Sequence, residues 1–218
     1  MEQGLVSILL VGFFLGIRHS FEPDHMIAVS TVVSQHRNLF RSSLAGLFWG
    51  IGHTLTLFLC GLLTIFTKSQ LSPTVSLSLE FVVGVMLVVL GIAGIYRRQR
   101  AKSAPPRQQS VDKVYRKSVM IGSVHGLAGS GALILLTMAT VQEFWQGILY
   151  MLLFGAGSII GMLLFSTLFS VAFGLVAKKA KVESFLVQFV SCATVIYGLF
   201  YMYHIGFAEK LFYAWSVQ

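Results

Sequence analysis

The chain has 218 residues, of which 56% are hydrophobic and only 11% charged, with a mean hydropathy of +0.79. Soluble domains are about 25% charged, so a water-soluble core is excluded and an all-α integral membrane protein is expected. In such a chain the net charge of +8 does not point to nucleic acid. It is orientation information, because basic loops stay on the cytoplasmic side.

About 20 apolar residues cross a bilayer as a helix, and the pattern predicts six spans. The first, 4–33, is too long for one straight crossing. It contains Pro23, which lacks an N–H and clashes with the preceding turn, so a break near Pro23 is expected. The second span covers 42–66 and the third 75–96. Residues 97–117, RRQRAKSAPPRQQSVDKVYRK, hold eight basic residues and one acid. The Pro-Pro pair and the Gln/Ser content predict a flexible surface linker, whose charge also suits anionic lipid. The fourth span covers 118–141, the fifth 146–176 and the sixth 184–206. The chain thus divides into a first three-helix repeat (1–96), a basic linker (97–117) and a second three-helix repeat (118–218). Arg37, Arg41, Lys178, Lys179 and Lys181 fall on the linker's side, and only Lys68 and Lys210 on the other. This bias predicts a multi-pass protein of the cytoplasmic membrane with the linker inside and both termini outside. Cys60 and Cys192 stand alone in apolar runs, with no CxxC pair, and read as buried structural thiols.

The two halves echo each other. GIRHSFEPDHMIAVSTVV and GSVHGLAGSGALILLTMATV both begin G-x-x-H, at Gly16–His19 and Gly122–His125. WGIGHTLTL and FGAGSIIGM both read aromatic-Gly-x-Gly, followed by His53 in one and Ser158 in the other. The spacings nearly agree, so a duplication is expected. A unit of three spans must insert its copies in opposite directions, the plan of many secondary transporters, with the site near the midplane at interrupted helices.

Arg18 to His25 concentrate the polar chemistry. A break at Pro23 frees backbone groups that are tolerated at membrane depth only inside protein or beside water. It also lets His19 from one half-helix and Asp24 and His25 from the next converge, whereas an unbroken helix would hold the two rings about 120° apart. Imidazole plus carboxylate suits Ni(II), Co(II), Zn(II) or Cu(II). His53 and His125 add imidazoles from two further spans, and intramembrane ionisable residues are functional candidates by default. Glu22 is either a second carboxylate for the ion or the partner of Arg18. Arg18 is expected to pair with Glu22 or Asp24. His36, His204, Glu80 and Glu143 read as solvated or interfacial, and Met26, Met120 and Met138 as packing.

RHSFEPDH resembles the H-x4-D-H signature of the nickel/cobalt transporter family, including the arginine just before it. LFWGIGHTLTL looks like that family's second motif, and GSVHGLAGSGALILL is similar to its short, urease-accessory-type branch. The resemblance implies that His19, Asp24 and His25 bind metal, with His53 and, from the short branch alone, His125 as further candidates. The chain departs from the larger members, which have eight spans and a polar D-T motif where GLAGSG stands here. The implied function is a secondary permease for Ni(II), with Co(II) as a second cargo, taking up metal for a nickel enzyme such as urease. No prosthetic group is implied, since the metal is the cargo. The expected partners are a divalent transition-metal ion and the lipid bilayer, with a homo-oligomer left open. A dication moving inward down about 100 mV gains about 4.6 kcal/mol, so uptake needs no nucleotide site, and the sequence carries no G-x-x-x-x-G-K-[ST]. An alternative is an exporter of sulfite or an organosulfonate built on Arg18 and half-helix N-termini. A membrane enzyme is a third class, weakened by the missing cysteine pair.

Overall fold

A computed structural model describes residues 2–35, 38–67, 72–103, 111–140, 144–176 and 179–217, with side chains described except at 2–5, 65, 101–103, 111 and 129–140. His36, Arg37, Lys68, Glu143, Lys178, the Pro-Pro pair, and the side chains of Met138 and of the end of GLAGSG lie outside the described residues.

The described chain is an all-α bundle. The first two helices are α1 (Glu2–Ser20) and α2 (Pro23–Val33), and α3 covers Leu39–Thr67. The long helices α4 (Pro73–Ser103), α5 (Val111–Thr140) and α6 (Phe144–Val176) follow. Last come α7 (Ala180–Tyr203), a π-helical turn over His204–Ala208, and α8 (Leu211–Ser216). Among the described residues, four stretches are long and apolar enough to cross a membrane: Leu39–Thr64, Pro73–Arg100, Phe144–Val176 and Ala180–Ala208. The α1–α2 pair, bent by 57° at its break, makes a fifth.

The break falls where Pro23 dictates. Phe21 N–H and Glu22 N–H donate to the carbonyls of Arg18 and His19, both at 3.0 Å, tightening the last turn of α1 into i→i+3 bonds. Glu22 is extended (φ −65°, ψ 146°), as residues before proline prefer. Pro23 then opens α2, where its missing N–H costs nothing, and Asp24 sits in the first turn.

The segment expected to be an irregular linker is helical at both ends, with α4 running to Ser103 and α5 starting at Val111. Two of its arginines stay in register because each finds a partner across the bundle. Arg97 donates to Gln35 Oε1 at 2.6 Å and Arg98 to Ser184 Oγ at 2.9 Å. Glu80, expected to be solvated, is half-buried and accepts from Tyr201 Oη at 3.4 Å. Among the described residues Cys60 and Cys192 form no disulfide and are only half-buried, and Met120 is exposed.

The bundle is apolar outside and holds a set of polar side chains within its core. Phe14, Leu63, Leu168 and Ile196 are exposed, whereas His25, His53, His125, Ser158 and Thr194 are buried, the arrangement a hydrocarbon solvent selects. α1 packs on α6, α3 on both α5 and α6, and α4 on α7, with α2 touching α3, α4, α6 and α7. In lipid the helices gain little from apolar burial and associate through close packing at small residues. Gly16 lies against the Phe154 carbonyl and the Ser158 backbone nitrogen, and Gly157 against the Phe13 carbonyl. Gly122 lies against the Trp49 carbonyl and the His53 backbone nitrogen, and Gly52 against the Val119 carbonyl. A side chain at any of these four would strike backbone.

Candidate metal centre

The break and the two glycine crossings bring four imidazoles and two carboxylates together. His25, His53 and His125 are buried, and the His19 and Asp24 side chains are each 15% exposed. His19 Nε2 lies 3.2 Å from His53 Nε2. The ring centroids of His25 stand 4.5 Å from His19, 4.9 Å from His53 and 4.0 Å from His125. His19, His25, His53 and His125 all lie in this one cluster. His204 is exposed, its ring 6.2 Å from Phe200.

The carboxylates hold the backs of the rings. Glu22 Oε2 is 3.0 Å from His19 Nδ1. Asp24 Oδ1 is 3.1 Å from His25 Nδ1, and its Oδ2 is 2.7 Å from His125 Nε2. A carboxylate at Nδ1 fixes the tautomer with Nδ1 protonated and aims the Nε2 lone pair the other way. For His25 that nitrogen is buried and without a partner, as are Nδ1 of His53 and of His125. Buried polar atoms are ordinarily satisfied, so three unpartnered ring nitrogens in one cluster mark these imidazoles as candidate donors.

Two sets of donors have the spacing a metal ion needs. The ligand atoms of His19, His25 and His53 all lie within 4.8 Å of one another, and so do those of Asp24, His25 and His125. The sets share His25. The 3.2 Å between the His19 and His53 nitrogens falls between the edges, about 2.9 and 3.3 Å, of an octahedron and a tetrahedron built on bonds of about 2.0–2.1 Å.

Two expectations change. Glu22 neither meets Arg18 nor joins a ligand set; it is the rear support of His19, because the i→i+3 turn at the end of α1 stacks the two side chains. Among the described residues Arg18 forms no salt bridge with Glu22 or Asp24, and it is exposed. Its neighbours' oxygens are taken by histidines. The sequence reading also passed over the aromatic walls. Phe154 lies 5.4 Å from the His19 ring and Trp49 5.9 Å from the His125 ring. Both are the aromatic of an aromatic-Gly-x-Gly motif, so the signal was present in the repeat itself.

An all-α membrane bundle with a buried histidine–carboxylate cluster at a helix break defines a class of membrane protein; comparison with known proteins identifies the family. The urease accessory protein UreH of Bacillus sp. (strain TB-90) is 46% identical over 226 aligned positions, covering 99% of each chain. The chain belongs to the UreH family, the short urease-accessory branch of the nickel/cobalt transporters that its motifs resemble. Two Arabidopsis thaliana proteins are more distant: chloroplast proteins FOR GROWTH AND FERTILITY 1 and 2. They are 26% and 27% identical over 74% and 69% of this chain, and 49% and 44% of their own lengths. No family profile and no solved structure matches the chain.

Proposed function

We propose that the protein is a secondary permease that carries Ni(II), with Co(II) as a second cargo, into the cell for a nickel enzyme, in keeping with the urease-accessory name of its Bacillus relative. The observation that carries the reading is the cluster itself: four imidazoles gathered beside the half-buried Asp24 carboxylate, with three ring nitrogens unpartnered. Nitrogen-rich donors with a carboxylate behind them suit a borderline dication. In this reading His19, His25 and His53 form one station, and Asp24, His25 and His125 an adjoining one. Glu22 and Asp24 orient the rings. An ion shared through His25 moves between stations without leaving the protein. The anion alternative needs Arg18 in the site, and Arg18 is exposed.

The same reading holds six spans, as two inverted repeats, with α1–α2 counted as one broken span and α5 as the fourth. What supports it is a reciprocal packing pattern. The Gly of each G-x-x-H motif meets the aromatic's carbonyl of the other half: Gly16 with Phe154, and Gly122 with Trp49. Each aromatic also stands against the other half's histidine. α1 packs on α6 as α5 packs on α3, which is what exchange of the halves requires. We take the linker as cytoplasmic and both termini as outside, from the distribution of Lys and Arg. All four imidazoles and both carboxylates of the cluster come from one chain.

The test is uptake into proteoliposomes of nickel, cobalt, zinc and sulfite. Nickel and cobalt should accumulate and sulfite should not; sulfite movement without nickel movement overturns the reading. Imidazole must be neutral to take a metal, so protons compete with the cation for the ring nitrogens, and uptake should fall as external pH is lowered.

A further inference from the structure

Ser158 of α6 is fully buried and its hydroxyl has no partner. Its direction follows from its neighbours. Tyr150, Phe154, Gly157 and Gly161 meet α1, at Gly12, Gly16, Phe13 and Ser20. Gly155, Ile159, Met162 and Ser166 meet α3, at Thr54, Gly50 and Gly46. At about 100° per residue these two stripes lie about 140° apart around α6, and Ser158 falls midway, about 70° from each. It points into the seam between α1 and α3.

Its height follows in the same way. α1 and α6 run parallel, with Gly12 at Tyr150, Gly16 at Phe154 and Ser158, and Ser20 at Gly161. α3 runs antiparallel to α6, with Gly50 at Ile159 and Thr54 at Gly155. Side chains on a helix lean toward its N-terminus. The His19 ring accordingly reaches back to Phe154, and the Ser158 hydroxyl leans toward the same layer. His53, beside Thr54, shares that level. The seam into which Ser158 points is where His19 Nε2 and His53 Nε2 stand 3.2 Å apart. The packing partners agree: Ser158 N abuts Gly16 as His53 N abuts Gly122, so Ser158 holds in one crossing the place that a histidine holds in the other.

We propose that the Ser158 hydroxyl is a further ligand of the divalent cation that His19, His25 and His53 hold. The inference rests on the reading of the histidine cluster as a cation site. A neutral oxygen donor raises the coordination number without adding charge. It suits Ni(II) and Co(II), which take more than four ligands readily, and it holds its ion weakly enough to release it. Ser158→Ala leaves the three imidazoles but removes that donor, and Ser158→Cys replaces it with sulfur.

The experiment titrates Co(II) into the purified full-length protein in detergent and records visible and near-ultraviolet absorption. The wild type should develop the visible ligand-field bands of a nitrogen- and oxygen-bound cobalt. Ser158→Ala should bind Co(II) about tenfold more weakly, the low end for loss of an auxiliary metal-site contact. Ser158→Cys should bind it and add a thiolate-to-cobalt charge-transfer band that the wild type lacks, although Cys60 and Cys192 are present in both. Wild-type affinity in Ser158→Ala, or bound cobalt without the new band in Ser158→Cys, overturns the proposal and leaves the histidine site standing. If Ser158→Cys does not fold, the affinity of Ser158→Ala decides. Absence of any cobalt spectrum in the wild type removes the cation site and this inference with it.

Discussion

The α1–α6 and α3–α5 crossings are built alike and act differently. In each, a G-x-x-H helix packs its glycine on backbone next to an aromatic, so the two helices approach closely and a histidine is held in the interior. Beyond that histidine they part. After His19 the chain breaks at Phe21–Glu22 and restarts at Pro23, which turns Asp24 and His25 back toward the same space. After His125 the helix continues through Gly126 and Ala128 without interruption. Packing is therefore common to both crossings, and the donor set is supplied mostly by the one that breaks. The lesson is that glycine contacts set how near the helices come, while a single proline sets how many ligands one helix can give.

The comparison can be broken at its shared part first. Gly16→Leu or Gly122→Leu drives a side chain into the opposing backbone, and neither variant should be recovered as a monodisperse protein in detergent. The milder Gly16→Ala and Gly122→Ala should each cost about 3 kcal/mol, seen as a lowered thermal transition; equal stability to wild type at either position would show that the crossing is loose.

The part that differs comes next. Asp24→Asn keeps the shape between His25 and His125 but removes the charge, and Co(II) affinity should fall about 10- to 100-fold. Pro23→Ala permits a continuous helix and should weaken binding about tenfold with the fold retained; an unchanged affinity would mean that tertiary contacts alone hold the break. The smallest effect lies outside both crossings. The Thr31 and Thr194 hydroxyls meet between α2 and α7, where one donates to the other and the accepting hydroxyl donates to the carbonyl on its own helix. Thr31→Val should cost only about 0.6 kcal/mol, as interhelical bonds in membranes do, and leave uptake unchanged.

Much of the site was legible in the primary structure. Polar residues are so costly at membrane depth that His19, Asp24, His25, His53 and His125 stand out against an apolar background, and the structure gathers all five. Glu22 was seen but its role was not. Its choice between Arg18, an ion and His19 depends on how the last turn of α1 tightens, which is a matter of backbone hydrogen bonds. The continuation of α4 past residue 96 was not legible because Arg97 and Arg98 find their partners in Gln35 and Ser184, distant in the chain.

By itself the sequence determined that this is a membrane bundle, where its first helix breaks and which polar side chains stand out as candidates for a site. Those follow from local composition: apolar length, a proline, and ionisable groups where solvent offers them nothing. Only the tertiary structure decided which nitrogens face one another, which carboxylate stands behind which ring, and that Ser158 is turned into the seam. These are relations between helices, set by how closely glycines let backbones approach, and no periodicity along one strand of text encodes them.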